Sequence, residues 1–319
     1  MAGVSNHAIH AGSSWLKPLT WPSKITLRGL LMSLTVYTNV ASLNAQRSLA
    51  TSGAELKTAM ERLSSGKKIN SAADDAAGFA IAERMTAQIR GLNMATKNAN
   101  DGLSMLAVIE NATNDVTDML HRMRELAVQA SNDTNSSEDL GYLNAEVTQL
   151  KAEITRIAED TKYNGTAYLN GTPAEGGNAE TASVTGKFQV GTEADQTISF
   201  TIKAVDTASI GTASGTQISA IDLSTSANAG TALTVITDAI EQVAGDRAGY
   251  GAIQNRLEYT VSNLMNVAEF TTAARSRIED ADFAAESARL AKSQILQQTG
   301  AAMLAQANAT PELALMLFK

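Results

Sequence analysis

The 319-residue chain has no cysteine. Disulfide staples and thiolate metal sites are excluded, and cysteine usage says nothing about redox compartment. Prolines are few: Pro18, Pro22, Pro173 and Pro311. None falls inside a long helical pattern, where it would cost about 3 kcal/mol, and Pro311 is expected to stop the last helix. Aromatics make up 4% of the chain against 44% hydrophobics, so small aliphatic side chains do most of the packing. That balance favours thin helical seams over a thick globular core. No apolar run approaches the roughly 20 residues of a membrane span. Positive charge is also in deficit. The formal charge is −8 and no basic stripe alternates with aromatics, which argues against a nucleic-acid partner. Histidines are three: His7 and His10, which lack a third ligand for a metal, and His121, which reads as a solvent-facing residue on a helix flank.

What is present is helical periodicity. Leu106, Ile109, Thr113, Val116, Leu120, Met123 and Ala127 recur at steps of three and four, a seam on one helix. Leu140, Leu143, Val147, Leu150, Ile154 and Ile157 form a second seam after an Asn- and Ser-rich gap, and short loops join antiparallel neighbours. A helical hairpin is expected. Earlier in the chain, Val36, Val40, Leu43, Leu49, Leu56, Met60 and Leu63 fit a helix that ends at Ser64-Ser65-Gly66. Gly66-Lys67 lacks the upstream glycine and following Ser/Thr of a phosphate loop. Asn70-Ser71 offers an N-cap, with Asp74-Asp75 in the first turn. Neighbouring helix positions diverge by about 100°, so these two carboxylates do not face one substrate. The next helix carries Ile81, Met85, Ile89 and Leu92.

The pattern breaks at the Asn164-Gly165 and Asn170-Gly171 turns. Phe188 and Val190, then Ile198, Phe200 and Ile202, alternate with period two, so a β-hairpin is read near 187–203. Residues 203–230 are rich in small side chains and read as a short linker with weak β character. Helix is expected again near Ala232, through Val235, Ile236, Ile240 and Val243 to Leu257 and Leu264. It is expected to continue past Leu290 to Ile295, Met303 and Leu304. An amphipathic helix near each end, with no evident burial partner except the other, marks an assembling protein.

Several segments resemble bacterial flagellin: Met32 to Gln46, Arg62-Leu-Ser-Ser-Gly-Lys-Lys-Ile-Asn-Ser-Ala-Ala-Asp-Asp-Ala-Ala-Gly78, Gly251 to Leu257, Ala274 to Asp280 and Gln294 to Gln298. Phe188-Gln-Val-Gly191 with Thr197-Ile198 is similar too. Together the matches cover most of 32–202 and 224–308. The family ordinarily begins where Met32 stands, so 1–31 is expected to be an extension, disordered or a start-site artefact.

The resemblance implies a mainly α fold: a long antiparallel helical bundle with a small β-hairpin and paired N- and C-terminal helices. Residues 32–74 and 276–319 would form a terminal coiled-coil domain. Residues 75–202 and 231–275 would form a helical core, with 203–230 in place of an outer domain. The implied function is that of a filament subunit, exported unfolded through the flagellar type III channel and polymerised through its terminal helices. The alternatives are a flagellin-like surface binding protein and a hook–filament junction protein. No catalytic role or cofactor is implied. The implied partners are further copies of the chain, an export chaperone, cap and hook-junction proteins, and the vertebrate Toll-like receptor for flagellin. Self-assembly is expected of Val36, Val40, Leu43, Leu49, Leu56, Leu63, Leu290, Ile295, Met303 and Leu304. Arg122 and Leu126, four apart, and Glu146 on the partner helix match the family's receptor-contacting residues, on a face that would also pack neighbouring protofilaments.

Overall fold

A computed structural model describes residues 38–171, 183–211 and 215–316, with 311–316 by backbone alone. The expectations for 1–31 and Val36 lie outside the described residues. The helices are α1 (Val40–Ser65), α2 (Ala76–Ala130), α3 (Ser137–Asp160), α4 (Ser226–Glu279) and α5 (Phe283–Met316). The strands are β1 (Lys162–Tyr163), β2 (Thr166–Ala167), β3 (Ser183–Gln189) and β4 (Thr197–Lys203). The chain divides into two compact units, one from 62 to 286 and one from the described parts of 1–61 and 287–319.

In the 62–286 unit, α2 and α4 run antiparallel, and α3 folds back on the second half of α2. At 1.5 Å per residue, α2 is about 80 Å long. The seam from Leu106 to Ala127 is the core: Leu106, Val116, Leu120, Met123 and Ala127 are fully buried, against Val147 and Ile154 of α3 and Ile236, Val243 and Leu257 of α4. Thr113 is buried within this apolar stripe without a stranded hydroxyl, because its Oγ1 donates to the Glu110 carbonyl at 2.9 Å. The α2–α3 turn closes with a capping box, in which Ser136 and Asp139 exchange side-chain and backbone hydrogen bonds.

The start of α2 differs from the sequence expectation. Asp75, not Asn70 or Ser71, is the N-cap, with Oδ1 accepting from Gly78 N at 2.9 Å. Asp74 stands outside the helix, and its Oδ2 accepts from the backbone N–H of both Asn70 and Ser71. Those bonds, that from Ser71 first, hold its carboxyl below the usual carboxylate range. The carboxylates thus organise a turn. That turn, 66–75, is laced to the 280–282 break: Lys68 N donates to Glu279 O at 2.7 Å and Ala281 N to Gly66 O at 2.9 Å. Arg62 and Glu286 face each other nearby at 3.8 Å. This lacing holds the 66–75 turn and the 280–282 break together within the 62–286 unit.

Asn164 (φ 50°) and Gly165 (φ 81°) both take left-handed backbone, closing the two-residue β1–β2 hairpin that Asn-Gly favours. The larger hairpin begins earlier than expected, at Ser183, and pairs Val184 with Ile202 and Phe188 with Ile198. Ile198, Phe200 and Ile202 alternate inward along β4. Phe188 stacks on Phe200 with ring centroids 4.4 Å apart. Gly102 of α2 makes room for this pair: a Cβ there would lie 3.0 Å from the Phe188 ring.

The 203–230 stretch is not a loose linker. Val205, Ile210, Ile218 and Leu223 are fully buried in the core of the unit. Lys151 Nζ donates to the carbonyls of Ser219 and Ile221, and Leu223 N donates to Asn144 Oδ1, so α3 anchors the irregular backbone. The following helix begins at Ser226, six residues before Ala232, capped by Thr225 Oγ1 accepting from Asn228 N. It passes Gly245, Gly249 and Gly251 unbroken. Tyr250 is buried on it, and its hydroxyl accepts from Lys203 N at 3.3 Å. Burial pushes its pKa up to about 12.

In the second unit α1 and α5 lie antiparallel. Helix α5 does not stop at Pro311 but runs to Met316. A proline there leaves the carbonyl four residues back without its N–H donor. That carbonyl, Ala307 O, instead accepts from Asn39 Nδ2 at 2.7 Å and from Thr310 Oγ1 at 2.9 Å.

Candidate assembly interface

The terminal helices pair through a seam of Leu and small residues. On α1, Ser42, Ala45, Leu49, Ser52, Leu56, Ala59 and Leu63 follow at alternating steps of three and four, and all are buried or half-buried. On α5 the inward positions are Leu290, Ser293, Gly300, Leu304 and Ala307. This is a heptad pattern, with leucines alternating with residues small enough for the helix backbones to approach. Leu49 sits over Gly300, where an added Cβ would be 3.5 Å from Leu49 Cδ1. Ser42 Oγ donates to Asn308 Oδ1 at 2.8 Å.

The expected self-assembly residues therefore separate into two sets. Leu49, Leu56, Leu63, Leu290 and Leu304 are half-buried on the inward stripes. Val40 (63% exposed), Leu43 (56%), Ile295 (60%) and Met303 (65%) face outward, and Met60 joins them at 56%. These are apolar side chains that the pairing of α1 with α5 leaves open to solvent. Sequence reading missed the small inward residues, Ser42, Ser52, Ala59, Ser293 and Gly300. Their signal was heptad spacing at positions that carry no large apolar side chain.

The second expected surface lies in the 62–286 unit. Arg122 Nε donates to Glu146 Oε1 at 2.9 Å, bridging α2 to α3, and its Nη1 donates to Glu125 Oε2 at 3.0 Å. These bonds, that to Glu125 first, raise the guanidinium pKa. Arg122 and Glu146 are about half exposed. Leu126 is not on that face: it is 1% exposed, packed in the core. Helix α2 contacts both α3 and α4, so its buried arc is wider than a two-helix seam. It takes in Leu126 and leaves Arg122 at its edge. His121 is exposed beside it, as expected.

Among the described residues, no group of three or more His, Asp or Glu side chains is arranged to hold a metal. No described helix is long and apolar enough to cross a membrane.

The family model of the bacterial flagellin N-terminal helical region matches residues 36–174, and that of the bacterial flagellin C-terminal helical region matches 233–318. A flagellin of Halalkalibacterium halodurans is 41% identical over 281 residues, covering 88% of this chain and 98% of its own. The flagellar filament 33 kDa core protein of Treponema phagedenis is 40% identical with the same coverage. Among solved structures, a Bacillus cereus flagellin aligns with TM-score 0.42 and 32% identity, over 53% of this chain and 88% of that one. With both family models accounting for most of the chain and relatives at this identity spanning nearly their full length, the chain belongs to the bacterial flagellin family.

Proposed function

We propose that this chain is a structural subunit of the bacterial flagellar filament, polymerised through its terminal helices. The observation that carries the reading is the outward set on α1 and α5: Val40, Leu43, Ile295 and Met303 remain exposed after the helices have paired. Covering them against further copies removes apolar surface from water, worth about 25 cal/mol per Å². A surface that docks on a different surface of the next copy propagates into a helical filament. The relatives named as flagellin and as filament core protein support the same assignment.

The chain suits export as an unfolded polypeptide through the flagellar type III channel. It has no disulfide to break and few prolyl bonds to isomerise after release. An export chaperone, a filament cap and hook-junction proteins are the partners this route needs. The Arg122–Glu146 pair is the exposed part of the surface proposed to meet the vertebrate Toll-like receptor, with Leu126 beneath it as support rather than contact.

Seeded polymerisation of truncated chains tests the filament reading. Deleting 32–50 or 309–319 should leave a folded monomer that does not elongate filament seeds. Elongation at the full-length rate by either truncation would refute it.

A further inference from the structure

With no cysteine in the chain, the side chains most open to oxidation are the methionine thioethers. They are not equally accessible. Met105 and Met123 are buried in the core of the 62–286 unit. Met60, Met94, Met265 and Met303 are each more than half exposed, and Met303 is the most open of the described methionines at 65%.

Their surroundings differ as well. Met60 has Lys57 and Ser64 as exposed neighbours one turn away on α1. Met303 lies in a part of α5 without charge: Ser293 to Pro311 contains no Asp, Glu, Lys or Arg. Ile295 and Leu296, both exposed, stand about two turns before it. Thr299, one turn before it, has its hydroxyl turned back onto the carbonyls of Ile295 and Leu296, at 3.0 and 3.1 Å. Covering this patch therefore strips water from no ionised group. A polar oxygen placed on Met303 would remove that advantage, because it would be buried without a partner.

We propose that Met303 is an oxidation site, at which a peroxide converts the monomer to a form excluded from the growing filament. The proposal rests on the filament reading and deepens it, by naming a chemical control of the outward face of α5. The thioether sulfur attacks one oxygen of hydrogen peroxide. An S–O bond forms, the O–O bond breaks, and the departing hydroxide takes the proton from the transferred oxygen and leaves as water. Sulfur is oxidised by two electrons and the peroxide is reduced. The product is a sulfoxide, polar and chiral where the thioether was apolar and flexible. Assembly covers the sulfur, so the reaction falls on the monomer. It is also reversible, since each sulfoxide epimer has its own class of reductase.

Partitioning of oxidised chains tests it. Full-length monomer is treated with hydrogen peroxide to low conversion, freed of oxidant and added to filament seeds. New filament and residual monomer are separated by sedimentation, and sulfoxide at each methionine is read by peptide mass. Sulfoxide at Met303 should be at least about tenfold scarcer in the filament than in the residual monomer, as expected for burying an unpartnered polar oxygen. Fully oxidised monomer should not elongate seeds, and treatment with both reductase classes should restore elongation. Equal sulfoxide at Met303 in the two fractions would overturn the assignment. So would its absence from Met303 at peroxide levels that oxidise Met94 and Met265, or a pool that stays inactive after Met303 has been reduced. If untreated chain fails to elongate seeds, the filament reading falls and the oxidation site with it.

Discussion

Asn39 Nδ2 donates across 2.7 Å to the Ala307 carbonyl, the oxygen for which Pro311 has no N–H. The residue that should have ended α5 is accommodated by a side chain at the start of the facing helix, so the N- and C-terminal segments complete each other. A double-mutant cycle follows. Asn39→Ala should lower the dissociation temperature of assembled filaments. In a Pro311→Ala background, where the helix supplies its own donor, it should cost less, by a coupling of about 1 kcal/mol. Equal costs in both backgrounds would show that the bond does not serve this carbonyl.

Ile218 lies in the irregular stretch between β4 and α4, yet it is fully buried. Ile218→Ala should therefore destabilise the monomer by about 2–5 kcal/mol, as for a residue in a regular core helix. Urea unfolding measures this, and a change below about 0.5 kcal/mol would be the signature of a loose surface segment.

Gly186 of β3 faces the Phe200 ring so closely that a Cβ would clash with it. Gly186→Ala should displace the stacked Phe188–Phe200 pair and cost about 1–3 kcal/mol. The same assay reads it, and near-ultraviolet circular dichroism should report the altered aromatic packing.

Asp139 accepts from the hydroxyl and the backbone N–H of Ser136, and these bonds, the hydroxyl's first, lower its pKa. A carboxyl with a lowered folded pKa stabilises the fold above its unfolded value and loses that stabilisation as pH falls through the folded value. Protection of the amides in the first turn of α3, relative to their intrinsic exchange rate at each pH, should therefore fall below about pH 4. Ser136→Ala, which removes the main bond, should flatten that dependence. An unchanged profile would mean the capping box does not hold this turn in solution.

Arg122 ties α2 to α3 through Glu146. Arg122→Ala should weaken both filament elongation and receptor signalling by the monomer, the latter by about tenfold or more if it anchors the contact. Full-strength signalling by a folded Arg122→Ala monomer would remove the receptor assignment and leave the filament role standing.

Much of the helical architecture was legible because long three-four periodicity has one physical reading, and the seam from Leu106 to Ala127 became the core it implied. The α4 start at Ser226 was missed because Ala227, Gly230 and Thr231 carry too little apolar bulk to show a period. The 205–223 segment was missed for a related reason. Its buried Val205, Ile210, Ile218 and Leu223 are irregularly spaced, and their burial depends on α3 side chains distant in sequence, Asn144 and Lys151. The family resemblance named the Arg122 surface, and spacing placed Leu126 on it because residues four apart are neighbours on a helix surface. A third packed helix widened the buried arc beyond that rule. At the termini, apolar spacing found the right helices but merged the inward leucines with the outward set.

Substituting the outward set alone separates its role in filament growth from that of the inward stripe. Full-length chains carrying Val40→Ser, Leu43→Ser, Ile295→Ser and Met303→Ser keep the inward stripe of Leu49, Leu56, Leu290 and Leu304 intact. Their elongation of filament seeds should be compared with that of the unsubstituted chain at equal monomer concentration. The 62–286 unit should stay folded and elongation should be lost. Filaments growing at the unsubstituted rate would contradict this, because the outward apolar face would then have no part in assembly.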